Sequence, residues 1–259
     1  WLANLTGTSR TGSMVLLCGE DHRAKRSVSP GSSDWALRAS WVPIFYPATV
    51  EDVLLLGAHA VALSRWLGVV TSMKLVTPVC DGGATLPADA ARIDPQFPDP
   101  DYVKRFHPIV MALGALPMQR ELVERKAPLV EEYVYLNGLN RSHWLDSGPT
   151  TGIVATGKSF VDVTQALQLL GVRVPVFQMS VTWPIDGRGL RRFAADSGVQ
   201  TIIVVEEPGP FVEDGVKAAL WGTAVREILG ERDAEGAPLV PSWGEVDPEV
   251  LARILAPRL

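Results

Sequence analysis

Three short apolar runs, each opening a segment of helical spacing, constrain this chain more than any other feature. They read Gly152-Ile-Val-Ala-Thr-Gly-Lys-Ser159, Val174-Pro-Val-Phe-Gln-Met-Ser-Val-Thr-Trp-Pro184 and Thr201-Ile-Ile-Val-Val-Glu-Glu207. Runs of this length, rich in β-branched residues, are strands, and a strand followed repeatedly by a helix is the order of a parallel sheet with crossover helices. The first helix of the series puts Phe160, Val163, Leu167 and Leu170 on one stripe, the face needed to cover a sheet, and Gly171 ends it. An earlier unit has the same grammar. A strand at Met14–Cys18 leads through a polar loop to a helix over 34–40, then to the strand Pro43–Tyr46. A helix capped by Thr49, with Glu51 and Asp52 in its first turn and an apolar face at Val50, Val53, Leu54 and Val61, precedes a strand over 69–76. The expected fold class is α/β with two layered parallel-sheet segments.

Between the two units the composition changes. Pro87, Pro95, Pro98 and Pro100 with scattered aspartates read as an extended connector. Residues 102–144 have helical spacing, with Pro108, Pro117 and Pro128 as expected interruptions and 119–126 as a solvated helix face. A last helix is announced by Asp247-Pro248-Glu249, with aspartate as cap and proline in the first turn, and Pro257 ends it. The divisions expected are therefore 1–78, 79–149, 150–245 and 246–259.

Gly152 to Ser159 also satisfies G-x-x-x-x-G-K-[ST], the phosphate-cradling loop of nucleotide hydrolases. A working cradle needs a loop between strand and helix whose N–H groups converge on phosphate. Here the intervening Ile153, Val154, Ala155 and Thr156 are the strand itself, and Lys158 falls in the first helical turn. The reading that follows is a strand-to-helix turn, with an anion site at Gly157, Lys158 and Ser159 as the residual option.

Composition narrows the classes. With 259 residues, 47% hydrophobic and 20% charged, the chain is long enough for a substantial core and too apolar for disorder. A net charge of −5 argues against a nucleic-acid partner. No apolar run approaches the ~20 residues of a membrane span. Cys18 and Cys80, the two cysteines, are too few for an iron–sulfur cluster or a zinc site and are expected to be reduced thiols of a cytoplasmic protein. The chain starts at Trp1 rather than methionine, and Met14–Cys18 reads as an interior strand with nothing ahead of it to pair with, as expected of a piece of a longer polypeptide.

Taken in order, Trp1-Leu-Ala-Asn-Leu-Thr-Gly-Thr-Ser-Arg-Thr-Gly12, Gly19-Glu-Asp-His22, Leu63-Ser-Arg65, Gly152–Ser159, Val181-Thr-Trp-Pro184, Val204-Val-Glu-Glu207 and Trp243-Gly-Glu-Val-Asp-Pro-Glu249 resemble the thiamine-diphosphate-dependent 2-oxoacid:ferredoxin oxidoreductases, most of all the large fused indolepyruvate form. One departure is that Gly19-Glu20-Asp21 stands where the family usually has Gly-Asp-Asp. The resemblance implies that 1–78 is part of a pyrimidine-type thiamine-binding domain, 79–149 a connector, 150–245 a transketolase-C-like domain and 246–259 a terminal helix. It also implies an enzyme that decarboxylates a 2-oxoacid on thiamine diphosphate with magnesium, passes electrons through iron–sulfur clusters to ferredoxin and acylates coenzyme A. The parts that hold these groups belong to regions outside this chain. The chain alone is therefore expected to be inactive, to bind no cofactor tightly, and to associate with the remaining regions of its enzyme and with copies of itself. The alternatives are a non-catalytic assembly or docking module on the same scaffold and, further off, the phosphate-loop nucleotide binder.

The sequence assigns no catalytic residue. Glu20, Asp21, His22 and Ser27 follow the C-terminal end of a strand, where open α/β sheets bind ligands, and are candidates for residues near cofactor or substrate. Read without the resemblance, the same loop is a solvated one whose acids are balanced by Arg23, Lys25 and Arg26. His59, His107 and His143 lack metal-ligand spacing and read as structural, and no metal site is expected within the chain. Glu206 and Glu207 are adjacent, so on a continuing strand they point to opposite faces, and one of them is placed to touch a neighbouring domain.

Overall fold

The computed structural model describes residues 1–90 and 92–259. Two sheets carry the fold. The first contains β1 (Met14–Glu20), β2 (Ile44–Phe45), β3 (Val70–Val76) and β7 (Val181–Trp183) in the order β1-β3-β2-β7. β1 and β2 run parallel to β3, Met14 facing Val70 and Ile44 facing Ser72, while β7 is antiparallel to β2. The second contains β4 (Arg141–His143), β5 (Thr151–Thr156), β6 (Val176–Met179), β8 (Thr201–Val205) and β9 (Glu227–Leu229) in the order β4-β6-β5-β8-β9. All of its pairs are parallel except β4 with β6. The fold is thus α/β with two mostly parallel sheets, as the alternation of runs requires.

Three departures from the sequence reading have physical causes. The apolar run 174–184 is not one strand: it makes β6, kinks at Ser180 and crosses to the first sheet as β7. Asn140 fixes this break, its Oδ1 accepting from the backbone N–H of both Ser180 and Val181 at 2.9 Å. β4 lies inside the segment read as connector and extends the second sheet. Pro117 and Pro128 do not interrupt the helical region: α5 (Ala112–Glu121) contains Pro117, a π turn follows over Leu122–Lys126, and α6 (Ala127–Leu136) begins with Pro128 in its first turn. Proline removes one N–H and is harmless in a first turn. Burial of Leu122, Val130, Tyr133 and Val134 along the opposite face offsets the bond lost at Pro117. Lys126, placed by sequence on a solvated face, is buried.

α1 (Leu2–Thr6) is tied down by Asn4, whose Nδ2 donates to the carbonyls of Ser40 and Trp41 and whose Oδ1 accepts from Val70 N–H. α2 (Asp34–Ala39) follows the long polar loop. α3 (Val50–Leu67) carries the expected cap, completed by Asp52, and packs Leu56, Ala60, Leu63 and Leu67 inward. From this helix His59 Nδ1 lies 2.8 Å from the Tyr133 hydroxyl, the structural role expected of it. The Pro-rich stretch opens with a single turn, α4 (Thr77–Cys80). α7 (Gly157–Leu170), α8 (Gly187–Ser197), α9 (Glu213–Leu220) and α10 (Pro248–Leu255) belong to the second sheet. One apolar cluster spans both units, joining Leu37, Ile44 and Val70 of the first to Phe177, Phe193 and Val204 of the second. Together with β7, that shared core fixes the C-terminal ends of β1, β3, β5 and β8 near one another. No described helix is long and apolar enough to cross a membrane.

Candidate functional site

β1 ends at Glu20, and the loop after it walls a cavity of about 510 Å³ together with the end of β3. Glu20, Asp21, Arg26, Ser27, Ser33 and Asp81 are among its lining residues. The loop is not the solvated one that its charge suggests, because Glu20, Asp21 and His22 are all buried. Asp21 organises it: Oδ2 accepts from the backbone N–H groups of Arg26 (2.5 Å) and Ser27 (3.0 Å), and such bonds, that of Arg26 first, hold its carboxyl down at about 2. Ser27 turns its own hydroxyl to the Ser29 carbonyl. Of the four loop candidates, Glu20, Asp21 and Ser27 line the cavity, whereas His22 does not.

His22 lies between two carboxylates from different sheets. Its Nε2 is 2.9 Å from Glu20 Oε2, and its Nδ1 is 3.4 Å from Oε2 of Glu207, two residues past β8. Lys74, on β3 and almost wholly buried, sits 2.5 Å from Asp34 Oδ2 and 3.3 Å from Glu20 Oε2 and donates to the Glu207 carbonyl at 2.9 Å. Its ammonium also stands 4.7 Å from the centre of the buried Tyr46 ring. On the far side, Lys158 Nζ lies 2.8 Å from Asp162, 3.4 Å from Glu207 and 3.7 Å from Glu245, and donates to the Val246 carbonyl. Arg23 closes the rim on Glu245 at 2.6 Å. A continuous chain of alternating charges therefore runs Asp34, Lys74, Glu20, His22, Glu207, Lys158, Asp162 through the seam between the two units.

The protonation states follow from this packing. Burial alone would raise the Glu20 carboxyl, but the His22 hydrogen bond, the Lys74 charge and two bonds from Ser33 outweigh it and bring it to about 2. Burial pushes Asp162 up to about 6 despite Lys158, and it pushes Glu206 up to about 7 even though Glu206 accepts from the N–H groups of Val212 and Glu213. Burial works against the Lys158 ammonium too, but Glu207 and Asp162 reverse the balance and raise it. Glu206 and Glu207 thus part, one serving its own loop and the other the first unit.

The P-loop match is resolved by the same geometry. β5 continues to Thr156 and α7 starts at Gly157, so no loop intervenes. The ring of Tyr46 packs directly on Gly157, Lys158 is committed to three carboxylates, and Ser159 is fully buried with no hydrogen-bond partner for its hydroxyl among the described residues. A nucleotide phosphate would meet an acidic, filled site.

Sequence reasoning missed Asp34, Lys74, Asp162 and Glu245. Lys74 had the clearest trace, a lone lysine in the strand run Val69–Val76, where a charge is tolerated only if paired.

In structure the chain resembles a 2-oxoglutarate:ferredoxin oxidoreductase from Magnetococcus marinus solved with 2-oxoglutarate, coenzyme A and succinyl-CoA (TM-score 0.59, 12% identity, covering 99% of this chain and 50% of that one). It also resembles a split-gene transketolase in an inactive β4 tetramer (TM-score 0.52, 17% identity, 94% and 65%). Residues 141–259 match the family described as indolepyruvate oxidoreductase domain. Indolepyruvate oxidoreductase subunit IorA of Methanothermobacter marburgensis is 30% identical over 211 residues, 79% of this chain and 32% of the relative. The same subunit of Methanothermobacter thermautotrophicus is 28% identical over 250 residues, 94% and 38%. Residues 141–259 thus carry an indolepyruvate oxidoreductase domain, and the chain spans about a third of the length of these relatives.

Proposed function

We propose that this chain is part of a 2-oxoacid oxidoreductase of indolepyruvate type, a cytoplasmic enzyme in which it supplies one wall of the active centre. The observation that carries the reading is spatial: Gly19–His22, Gly152–Ser159, Val204–Glu207 and Trp243–Glu249, far apart in sequence, meet at one seam beside one cavity. In this reading 1–78 is the partial pyrimidine-type thiamine-binding domain, 79–149 the connector, 150–245 the transketolase-C-like domain and 246–259 the terminal helix. Thiamine diphosphate supplies the electron sink for decarboxylation in such an enzyme.

The residues present do not fit the magnesium and iron–sulfur groups of that chemistry. Among the described residues no three His, Cys, Asp or Glu side chains are grouped to hold a metal ion, and Cys18 and Cys80 stand as free thiols. Those groups are assigned to other regions of the enzyme, as are the contacts with ferredoxin and coenzyme A, and the chain is inactive without them and assembles with further copies. What its own residues do is fix charge. Glu20 stays ionised at the cavity wall through Lys74, His22 and Ser33, and the buried seam behind it keeps water out. The test is an assay of the complete enzyme for indolepyruvate-dependent reduction of ferredoxin. Activity that requires thiamine diphosphate and falls at least tenfold in Glu20→Gln, a loss of about 1.4 kcal/mol of transition-state stabilisation, supports the reading. Full activity without thiamine diphosphate overturns it.

A further inference from the structure

His22 is the histidine of the seam, and its surroundings decide its charge. A neutral imidazole has one N–H and one lone pair. Both ring nitrogens here face carboxylate oxygens, Glu20 at 2.9 Å and Glu207 at 3.4 Å, so a neutral ring would turn its lone pair towards one of them. Only the doubly protonated ring donates to both. Counting the buried charges gives the same answer. From β3 the ring's neighbourhood receives Lys74, from α2 Asp34, from β1 Glu20, from the end of β8 Glu207, and from α7 Lys158 with its partner Asp162. Glu245 approaches from the C-terminal segment and is matched by Arg23 and Lys25 at the rim. Glu20, Asp34, Glu207 and Asp162 are four carboxylates facing two ammonium groups, Lys74 and Lys158, and a protonated His22 reduces that excess of negative charge. An unbalanced buried charge is far more costly than a matched pair. The Tyr46 hydroxyl, buried near the same acids, is held protonated by its burial first and by Glu207 next.

We propose that His22 is a buried imidazolium at neutral pH that pins the Glu20 end of β1 to the Glu207 end of β8, a positioning residue that makes the seam beside the cavity pH-dependent. Burial works against the charged ring, but the hydrogen bonds to Glu20 and Glu207 outweigh it and raise His22 above its ordinary value. For a histidine raised in the fold, the stabilisation is complete below the unfolded value of about 6.5 and disappears as pH rises through the folded value. The seam is therefore tight in mild acid and loosens in alkali, the reverse of a histidine buried neutral such as His59, which burial and Arg141 lower to about 4.

The decisive experiment is nitrogen-15 NMR of the histidine side chains in the 259-residue chain, with the His22 signal assigned by its absence in His22→Gln. The proposal expects two N–H nitrogens on His22 at pH 7 and a titration midpoint above 6.5. It also expects an unfolding constant that rises more between pH 6.5 and 9 than that of His22→Gln, the excess being about tenfold for each pH unit of midpoint elevation. A single tautomer at pH 7, a midpoint at or below 6.5, or the same pH slope in both proteins would overturn it. The wild-type spectrum decides the matter even if the variant does not fold, and the outcome does not depend on which reaction the complete enzyme performs.

Discussion

Replacing Lys74 by methionine should cost about 3–5 kcal/mol, the range for removing one partner of a buried ion pair. Methionine matches the length of the stem but removes the ammonium that lies 2.5 Å from Asp34, 3.3 Å from Glu20 and 2.9 Å from the Glu207 carbonyl. Three acceptors then face each other without a cation, and the ring of Tyr46 loses the charge above it. Domains are stable by only ~5–15 kcal/mol, so the loss would bring urea unfolding close to zero denaturant. Two controls separate the electrostatic cause from simple repacking. Adding Asp34→Asn should recover part of the loss by removing one of the stranded charges. The deficit should also shrink in acid, as the stranded carboxylates protonate and lose their need for a partner. A loss below about 1 kcal/mol, typical of exposed pairs, would show that Lys74 is solvated and the seam wet.

The second large effect is expected at Gly157. Its φ of +42° lies in the left-handed region, and a Cβ there would fall inside the van der Waals envelope of the Tyr46 ring. Tyr46 is about 1% exposed, so the ring has nowhere to go. Gly157→Ala should therefore combine backbone strain of about 1 kcal/mol with overpacking of about 1–3 kcal/mol. Shortening Tyr46 to alanine in the Gly157→Ala background should relieve the overpacking, giving a favourable coupling in a double-mutant cycle. Independent, additive losses would contradict a glycine selected for ring packing. The comparison also separates this turn from a phosphate cradle, where a glycine loss would be felt only with nucleotide present.

Local sequence carried most of the fold and little of the seam. β5, β8 and the first face of α7 were readable because β-branched runs and a helical stripe are local patterns. The Thr49 cap, Gly171 stop and Asp247-Pro248 start were readable for the same reason. β7 was not, because its departure to the first sheet is enforced by Asn140, 40 residues away from Ser180 in the chain. The candidate loop was found, but its burial was hidden: Glu20 and His22 acquire their meaning from Lys74 and Glu207, the latter 185 residues from His22. A loop read by itself has balanced charges and appears solvated. Only the topology that brings β1, β3 and β8 to one end shows that Glu20 is answered by buried Lys74 and His22 rather than by the loop's own arginines.

The wall of a thiamine site proposed for this chain is one completed by polypeptide outside it. Isothermal titration with thiamine diphosphate and magnesium tests it most directly, run in parallel on the 259-residue chain and on the complete enzyme. Saturable heat from the complete enzyme with none from the chain alone is the expected result. Tight binding by the isolated chain, or no binding by either, would contradict it.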